Sequence, residues 1–198
     1  MERVEPADNA ADRRDSAHAA KLNTFVAITV ALLATFVGIC NVKDNNIVQA
    51  MQQAQADKLD HWAFYQARNI RQEIAEATIA DLTLSRSRAG APEAATLDAT
   101  LARYRALAVE QAAKKDSLRR MALEDQQHYD ALNYRDDQFD LADALVALAI
   151  SLLALTALTH KRWLYWIAMI PTLLGVLMGL AGLLRWPIHP DAIARLLS

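Results

Sequence analysis

Three long stretches of the chain carry no Asp, Glu, Lys or Arg: Leu22 to Val42, Ala144 to Thr159, and Trp163 to Leu184. The second reaches the length of the others when Phe139 to Asp143 form its interfacial turn. A hydrocarbon core about 30 Å thick needs about 20 apolar residues of helix to cross it. Segments 22–42, 139–159 and 163–184 are therefore read as transmembrane helices. A soluble fold would have too little polar chain left to cover all three.

The first apolar run does not read as a cleaved leader. The tail before it, residues 1–21, is polar and acidic, and the run itself is too long. Ile39 stands where a lipoprotein cleavage site before Cys40 needs a small residue. Arg13 and Arg14 lie too far upstream for a twin-arginine signal.

Residues 43–138 show a different pattern, helical almost throughout. From Asn46 to about Leu84 there is no Gly or Pro. Leu59, Trp62, Gln66, Ile70, Ile74, Ala77 and Leu84 mark a mostly apolar stripe at three- and four-residue spacing. Residues 85–92 then break the pattern, with Gly90 suited to a helix end and Pro92 to the first turn of the next helix. The second arm carries Leu97, Leu101, Tyr104, Ala108, Leu118, Ala122, Tyr129, Leu132 and Phe139 on one alternating three-four spacing. Gln111, Lys115, Asp125 and Asp136 are its polar exceptions. At 1.5 Å per residue each arm is about 60–70 Å long. The expected fold is all-α: three membrane helices, with a long antiparallel, coiled-coil-like helical hairpin between the first and second. The polar exceptions predict a seam weak enough for neighbouring chains to help complete it.

Composition sharpens the picture mainly by exclusion. The 198 residues are 54% hydrophobic and 22% charged, with a net charge of −2, which fits neither a disordered chain nor a basic nucleic-acid binder. A single Cys excludes an internal disulfide and a four-thiolate zinc site. Orientation follows from basic residues in short loops. Arg3, Arg13, Arg14 and Lys21 precede the first span, and the turn 160–162 is His160-Lys161-Arg162. Asp136, Asp137, Asp140 and Asp143 enter the second span from the other side. The N-terminus and the basic turn are thus expected in the cytoplasm. The insert and the tail 185–198 are expected to face outward, although Lys43, Arg135, Arg185 and Arg195 narrow the charge difference.

Candidate chemistry is sparse. No span carries a central carboxylate, Lys, Arg or His, the groups that proton relays and coupled transporters use. Asp140 and Asp143 lie one turn apart at the mouth of the second span, where a carboxylate pair can gather cations at a pore. Asp57 with His61, and Glu124 with His128, have the spacing of two ligands on one helix face. A fold near residue 88 sets position 61 opposite about 116 and position 128 opposite about 49, so the pairs should miss each other. Lys114, Lys115, Arg119 and Arg120 read as a solvated face interrupted by Asp116 and Glu124. No phosphate loop or zinc-protease motif occurs. The chain is not expected to be an enzyme or to hold a cofactor or metal.

Packing signals are stronger. Gly175 and Gly179, with Gly182 on the next turn, clear one face of the third span for close helix approach. Ala27, Ala31, Ala34 and Gly38 form a similar strip on the first, bordered by Thr24 and Thr35, and the second offers Ala147 and Ser151. These are the candidate helix-packing and oligomer residues. Trp62, Phe64 and Tyr65 form the densest aromatic patch outside the spans and are the candidate docking surface for a protein partner.

Two segments carry a family likeness. One is Gln53-Ala54-Gln55-Ala56-Asp57 followed by Trp62-Ala63-Phe64-Tyr65-Gln66-Ala67-Arg68-Asn69-Ile70-Arg71. The other is Thr159-His160-Lys161-Arg162-Trp163-Leu164-Tyr165-Trp166. From about Lys21 to Leu184 the chain resembles a bacterial membrane family known only as a domain of unknown function (number four-three-three-seven). The stretch between Asp57 and Trp62 departs from that family's pattern, in which the Trp follows the Asp more closely. The resemblance implies three spans with a helical insert and brings no assigned activity. The function expected from the sequence is a homo-oligomeric scaffold or accessory subunit in contact with membrane lipid, presenting a helical stalk to partners. A passive cation channel is the alternative.

Overall fold

The computed structural model describes residues 6–188, with side chains from His18 onward. Among these residues there are three helices and no strand: α1 (Pro6–Arg86), α2 (Ala91–Thr159) and α3 (Arg162–Leu184). Their lengths follow from the distribution of breakers. Gly38 is the one Gly or Pro between Pro6 and Gly90, and α2 has Pro92 alone, in its first turn. Both prolines sit where a missing N–H costs nothing. All three helices are long and apolar enough to cross a membrane, with 18-residue windows of mean hydropathy 2.2 to 2.3.

The first helix begins at Pro6, within the segment 1–21 read as a polar tail, because no Gly or Pro follows until Gly38; the other helix ends lie close to where the punctuation put them. Residues 87–90 connect α1 to α2, the Ser87 hydroxyl donates to the Leu84 carbonyl at 2.7 Å, and the Ala94 N–H reaches Gly90 O at 2.9 Å. His160 joins α2 to α3 in left-handed backbone geometry, φ 52°. Arg185 ends α3 in the same geometry, and Trp186 N–H closes on the Ala181 carbonyl at 2.9 Å. Arg195 and the rest of the tail beyond Ile188, like Arg3, lie outside the described residues.

Packing divides the chain into two units, one of residues 1–49 with 132–198 and one of residues 50–131. The first holds the apolar spans. Its core joins Val26 and Leu33 of α1, Val146, Ala149 and Leu153 of α2, and Ala168 of α3. Phe25, Ile28, Leu32 and Ile39 point away from it, each more than half exposed. Such a surface suits a solvent of lipid tails, in which helix contact is driven by close packing rather than by expulsion of water.

In the second unit the α2 seam falls where its spacing placed it. Leu101 and Ala122 are buried, with Leu97, Tyr104, Ala108, Leu118 and Tyr129 half-buried on the same line. The α1 stripe does not. Leu59, Ile70, Ile74 and Leu84 are all more than half exposed. The inner line is instead Ala54, Lys58, His61, Tyr65, Arg68, Gln72, Ala75, Ile79, Leu82 and Arg86, a strict four-three alternation. Polar complementarity explains the choice. Buried Gln111 on α2 accepts from the Arg68 guanidinium at 3.1 Å, Lys115 donates to Asn69 at 3.1 Å, and Asp125 meets His61 at 2.6 Å. Half-buried polar groups need partners, and this side of α1, with Asn69 beside the line, supplies them.

The same contacts correct the expected register. His61 lies beside Asp125 rather than near position 116, and Lys58 donates to Gln126 at 2.8 Å. Arg86 pairs with Asp98 at 2.8 Å, which leaves residues 87–97 on the turn side of that ion pair and displaces the fold past residue 88. His61 therefore sits close in sequence register to Glu124 and His128. Among the described residues, even so, no three His, Cys, Asp or Glu side chains group as metal ligands do.

Candidate functional site

The glycines of α3 are consumed within the chain. A Cβ built on Gly175 would stand 2.9 Å from Val146 Cγ2 and 3.2 Å from the Ala142 carbonyl, so α2 lies directly against it. One on Gly179 would meet the Phe36 ring at 2.6 Å and Cys40 Sγ at 3.1 Å, and one on Gly182 would meet the Phe139 ring at 2.8 Å. The three glycines are thus seats for α2, for α1 and for one aromatic ring. They form intrachain packing.

The strip on α1 does the opposite. Ala27, Ala31, Ala34 and Gly38 are all exposed, and a Cβ on Gly38 would meet nothing within 4 Å. At about 100° per residue they lie on the far side of α1 from Val26, Leu33 and Cys40. Thr24 and Thr35 border the strip, their hydroxyls donating back to the Ala20 and Ala31 carbonyls at 2.9 Å. Ala147 and Ser151 likewise face outward on α2, with Ser151 Oγ bonded to the Ala147 carbonyl at 2.9 Å.

Asp140 and Asp143 are exposed and belong to a larger acidic group than the sequence reading named. Asp44 of α1 and Asp136 of α2 form a carboxyl pair, whose mutual interaction raises Asp136. Burial, then the charges of Asp44 and Asp140, the bond to Asp44 and the charge of Asp137 raise the Asp136 carboxyl to about 7. Burial also raises Asp44, the hydrogen bond from Asp136 pulls it back, and Asp143 adds to the rise. Asp44 continues the inner line of α1 through Cys40 and Ile47, and Asp136 was the polar exception at the same level of α2. Their pairing required the two helices to be in register.

Behind this group the end of α3 is held by two polar side chains of α2. Arg135 Nη2 donates to the Gly182 carbonyl at 3.1 Å, placing a cation at the negative end of a helix. Gln138 is fully buried, and its Nε2 reaches the carbonyls of Trp186 and Ile188 at 3.0 and 2.6 Å. Neither residue stood out in the sequence, because each acts on main-chain atoms that only the tertiary fold brings near.

The aromatic patch is divided. Trp62 and Tyr65 are half-buried and meet edge to face, centroids 5.3 Å apart at 78°, whereas Phe64 is exposed. A family model described as "Domain of unknown function (DUF4337)" matches residues 22–185. The chain belongs to that family. The matched region takes in the three apolar segments, the acidic group and the whole of the second unit. No curated protein and no solved structure matches the chain.

Proposed function

We propose that this chain is a non-enzymatic inner-membrane protein, a scaffold or accessory subunit that assembles with copies of itself. On this reading residues 22–42, 139–159 and 163–184 cross the membrane. Residues 43–138 form an antiparallel, coiled-coil-like hairpin that offers its outer surface to protein partners. The basic residues around Lys21 and 160–162 favour a cytoplasmic N-terminus and basic turn, with the hairpin and the C-terminal end in the periplasm.

The observation that carries the reading is the outward strip Ala27-Ala31-Ala34-Gly38. Within a membrane, small residues on a helix are useful where another helix backbone approaches. The α3 glycines already have such a neighbour within the chain, whereas this strip has none. The polar pairs His61–Asp125 and Lys58–Gln126, with Arg86–Asp98 nearest the turn, support the hairpin. Exposed Phe64, Ile70, Ile74 and Leu84 give it an apolar outer face.

Native mass spectrometry of the gently extracted full chain tests the proposal. A defined homo-oligomer is expected, converted to monomer by Ala31→Leu with Gly38→Leu. An unchanged oligomer in that variant would exclude this strip as the interface.

A passive cation channel is the second reading, favoured by the concentration of carboxylates around Asp140 and Asp143. Thr24, Thr35 and both carboxylates are exposed on the single chain, so such a pore would lie between copies. Cation currents from the purified oligomer, lost in Asp140→Asn with Asp143→Asn, would favour it.

A further inference from the structure

Two adjoining cavities open where α3 begins, beside the Lys21–Phe25 turn of α1. One, of about 500 Å³, has a mostly apolar wall of Leu22, Phe25, Tyr165 and Trp166, with the cations Lys21 and Arg162 at its edge. The other, of about 400 Å³, is mostly polar; it shares His18, Leu22 and Arg162 with the first and adds His160 and Lys161. Together they make one amphipathic groove with a basic end and an apolar end. Phe25 and Trp166 are 61% and 71% exposed, so the apolar end is open to the side and not filled by the chain itself. Tyr165 is fixed in the wall by its hydroxyl, 3.2 Å from Thr29 Oγ1.

Among the described residues, no carboxylate pairs with Lys21, Lys161 or Arg162, and none lines either cavity. Lys161 caps α3 with extended backbone and makes no side-chain cap bond, so the first N–H groups of that helix add to the positive field. Leu22 and Trp163 open the first and third apolar runs, which sets this groove at the level where headgroups meet hydrocarbon.

We propose that the groove binds one phospholipid with an anionic headgroup. Its phosphate sits among Lys21, Lys161 and Arg162, and one acyl chain lies over Phe25 and Trp166. The proposal rests on the membrane reading of the three spans. A soluble phosphate would use the polar cavity alone and leave the larger apolar one unoccupied. A zwitterionic headgroup would bring an ammonium to a site whose described lining holds no carboxylate, whereas basic pockets between membrane helices suit anionic headgroups.

The test uses the full chain, purified in a non-ionic detergent and stripped of lipid, with native mass spectrometry as the readout. It is titrated with dioleoylphosphatidylglycerol, dioleoylphosphatidylcholine or glycerol phosphate. The phosphatidylglycerol adduct should saturate at one per chain and bind more tightly than phosphatidylcholine. Affinity should fall about fivefold for each cation removed in Lys21→Gln with Arg162→Gln. Lys114→Gln with Arg119→Gln, in the other unit, should leave it unchanged. Equal binding of the two lipids, or an unaltered Lys21→Gln with Arg162→Gln variant, would overturn the proposal. Glycerol phosphate competing as well as the lipid would replace it with a soluble phosphoryl ligand. If the double variant does not fold, the wild-type lipid comparison and Lys161→Gln alone decide. Extraction of the chain from membranes without detergent would remove the membrane reading separately.

Discussion

His61 Nδ1 stands 2.6 Å from Asp125 Oδ2, and this contact joins α1 to α2 inside the second unit, with both side chains about one-fifth exposed. It ties the two helices at one register, since a shift of one turn would part the two groups. Asp125→Ala should cost about 1–2 kcal/mol by stranding the imidazole. In a double-mutant cycle with His61→Ala, thermal unfolding should show positive coupling of about 1 kcal/mol. Strict additivity would mean that the pair does not set the register.

The faces of α1 can be told apart by substitution. Ala75 is 1% exposed, and Ala75→Leu should overpack the seam at a cost of about 1–3 kcal/mol. Ile74 is 59% exposed, and Ile74→Ser should change unfolding stability by no more than about 0.5 kcal/mol. Reversed magnitudes would restore the apolar stripe that the sequence suggested.

Asp136 gives the first unit a pH dependence with a definite sign. Its carboxyl is raised to about 7 in the folded chain from an ordinary value of 3.8, so the folded state holds the proton more tightly than the unfolded state. The stability it contributes is fully present below about pH 4 and declines as pH rises towards 7, after which it is flat. Melting in detergent should therefore occur at a higher temperature at pH 5 than at pH 8. Asp136→Asn should shrink that difference and raise the melting temperature at pH 8.

Gly182 and Gly38 should respond in opposite ways to added bulk. Gly182→Ala puts a methyl group 2.8 Å from the Phe139 ring and should destabilise the single chain by about 1–3 kcal/mol. Gly38→Ala meets nothing within 4 Å and should leave the fold intact, as judged by circular dichroism and melting of the same preparations.

Gln138→Ala removes both bonds that hold the Trp186 and Ile188 carbonyls. The loss should cost about 1–3 kcal/mol and speed hydrogen exchange around residues 186–188. Unaltered exchange there would show that the end of α3 is held by Arg135 and its own cap.

Much of the architecture was legible before any packing was known. The apolar runs stand out because a helix that meets lipid must be apolar all round. Gly90 and Pro92 marked the turn because one weakens a helix end and the other starts a helix. The α2 line from Leu97 to Tyr129 was readable because its leucines and alanines keep a strict spacing. The α1 line was not, because Lys58, His61, Arg68 and Gln72 occupy it while Ile70 and Ile74 point outward. Hydrophobicity alone ranks those positions the wrong way. They are internal only because α2 presents Gln111, Asp125 and Gln126 to them.

The sequence by itself determined where the turns between the helices fall, which helices are apolar enough for a membrane, and that charge gathers near Asp136–Asp143 and at 160–162. These are local properties, set by breakers, periodicity and side-chain solvation within a few turns. Only the tertiary structure decided that Gly175, Gly179 and Gly182 serve the chain's own contacts while Ala27–Gly38 faces away, and that Asp44 is brought to Asp136. Both outcomes depend on the rotation of one helix against another. Small residues and carboxylates look the same from either side until a neighbour is in place.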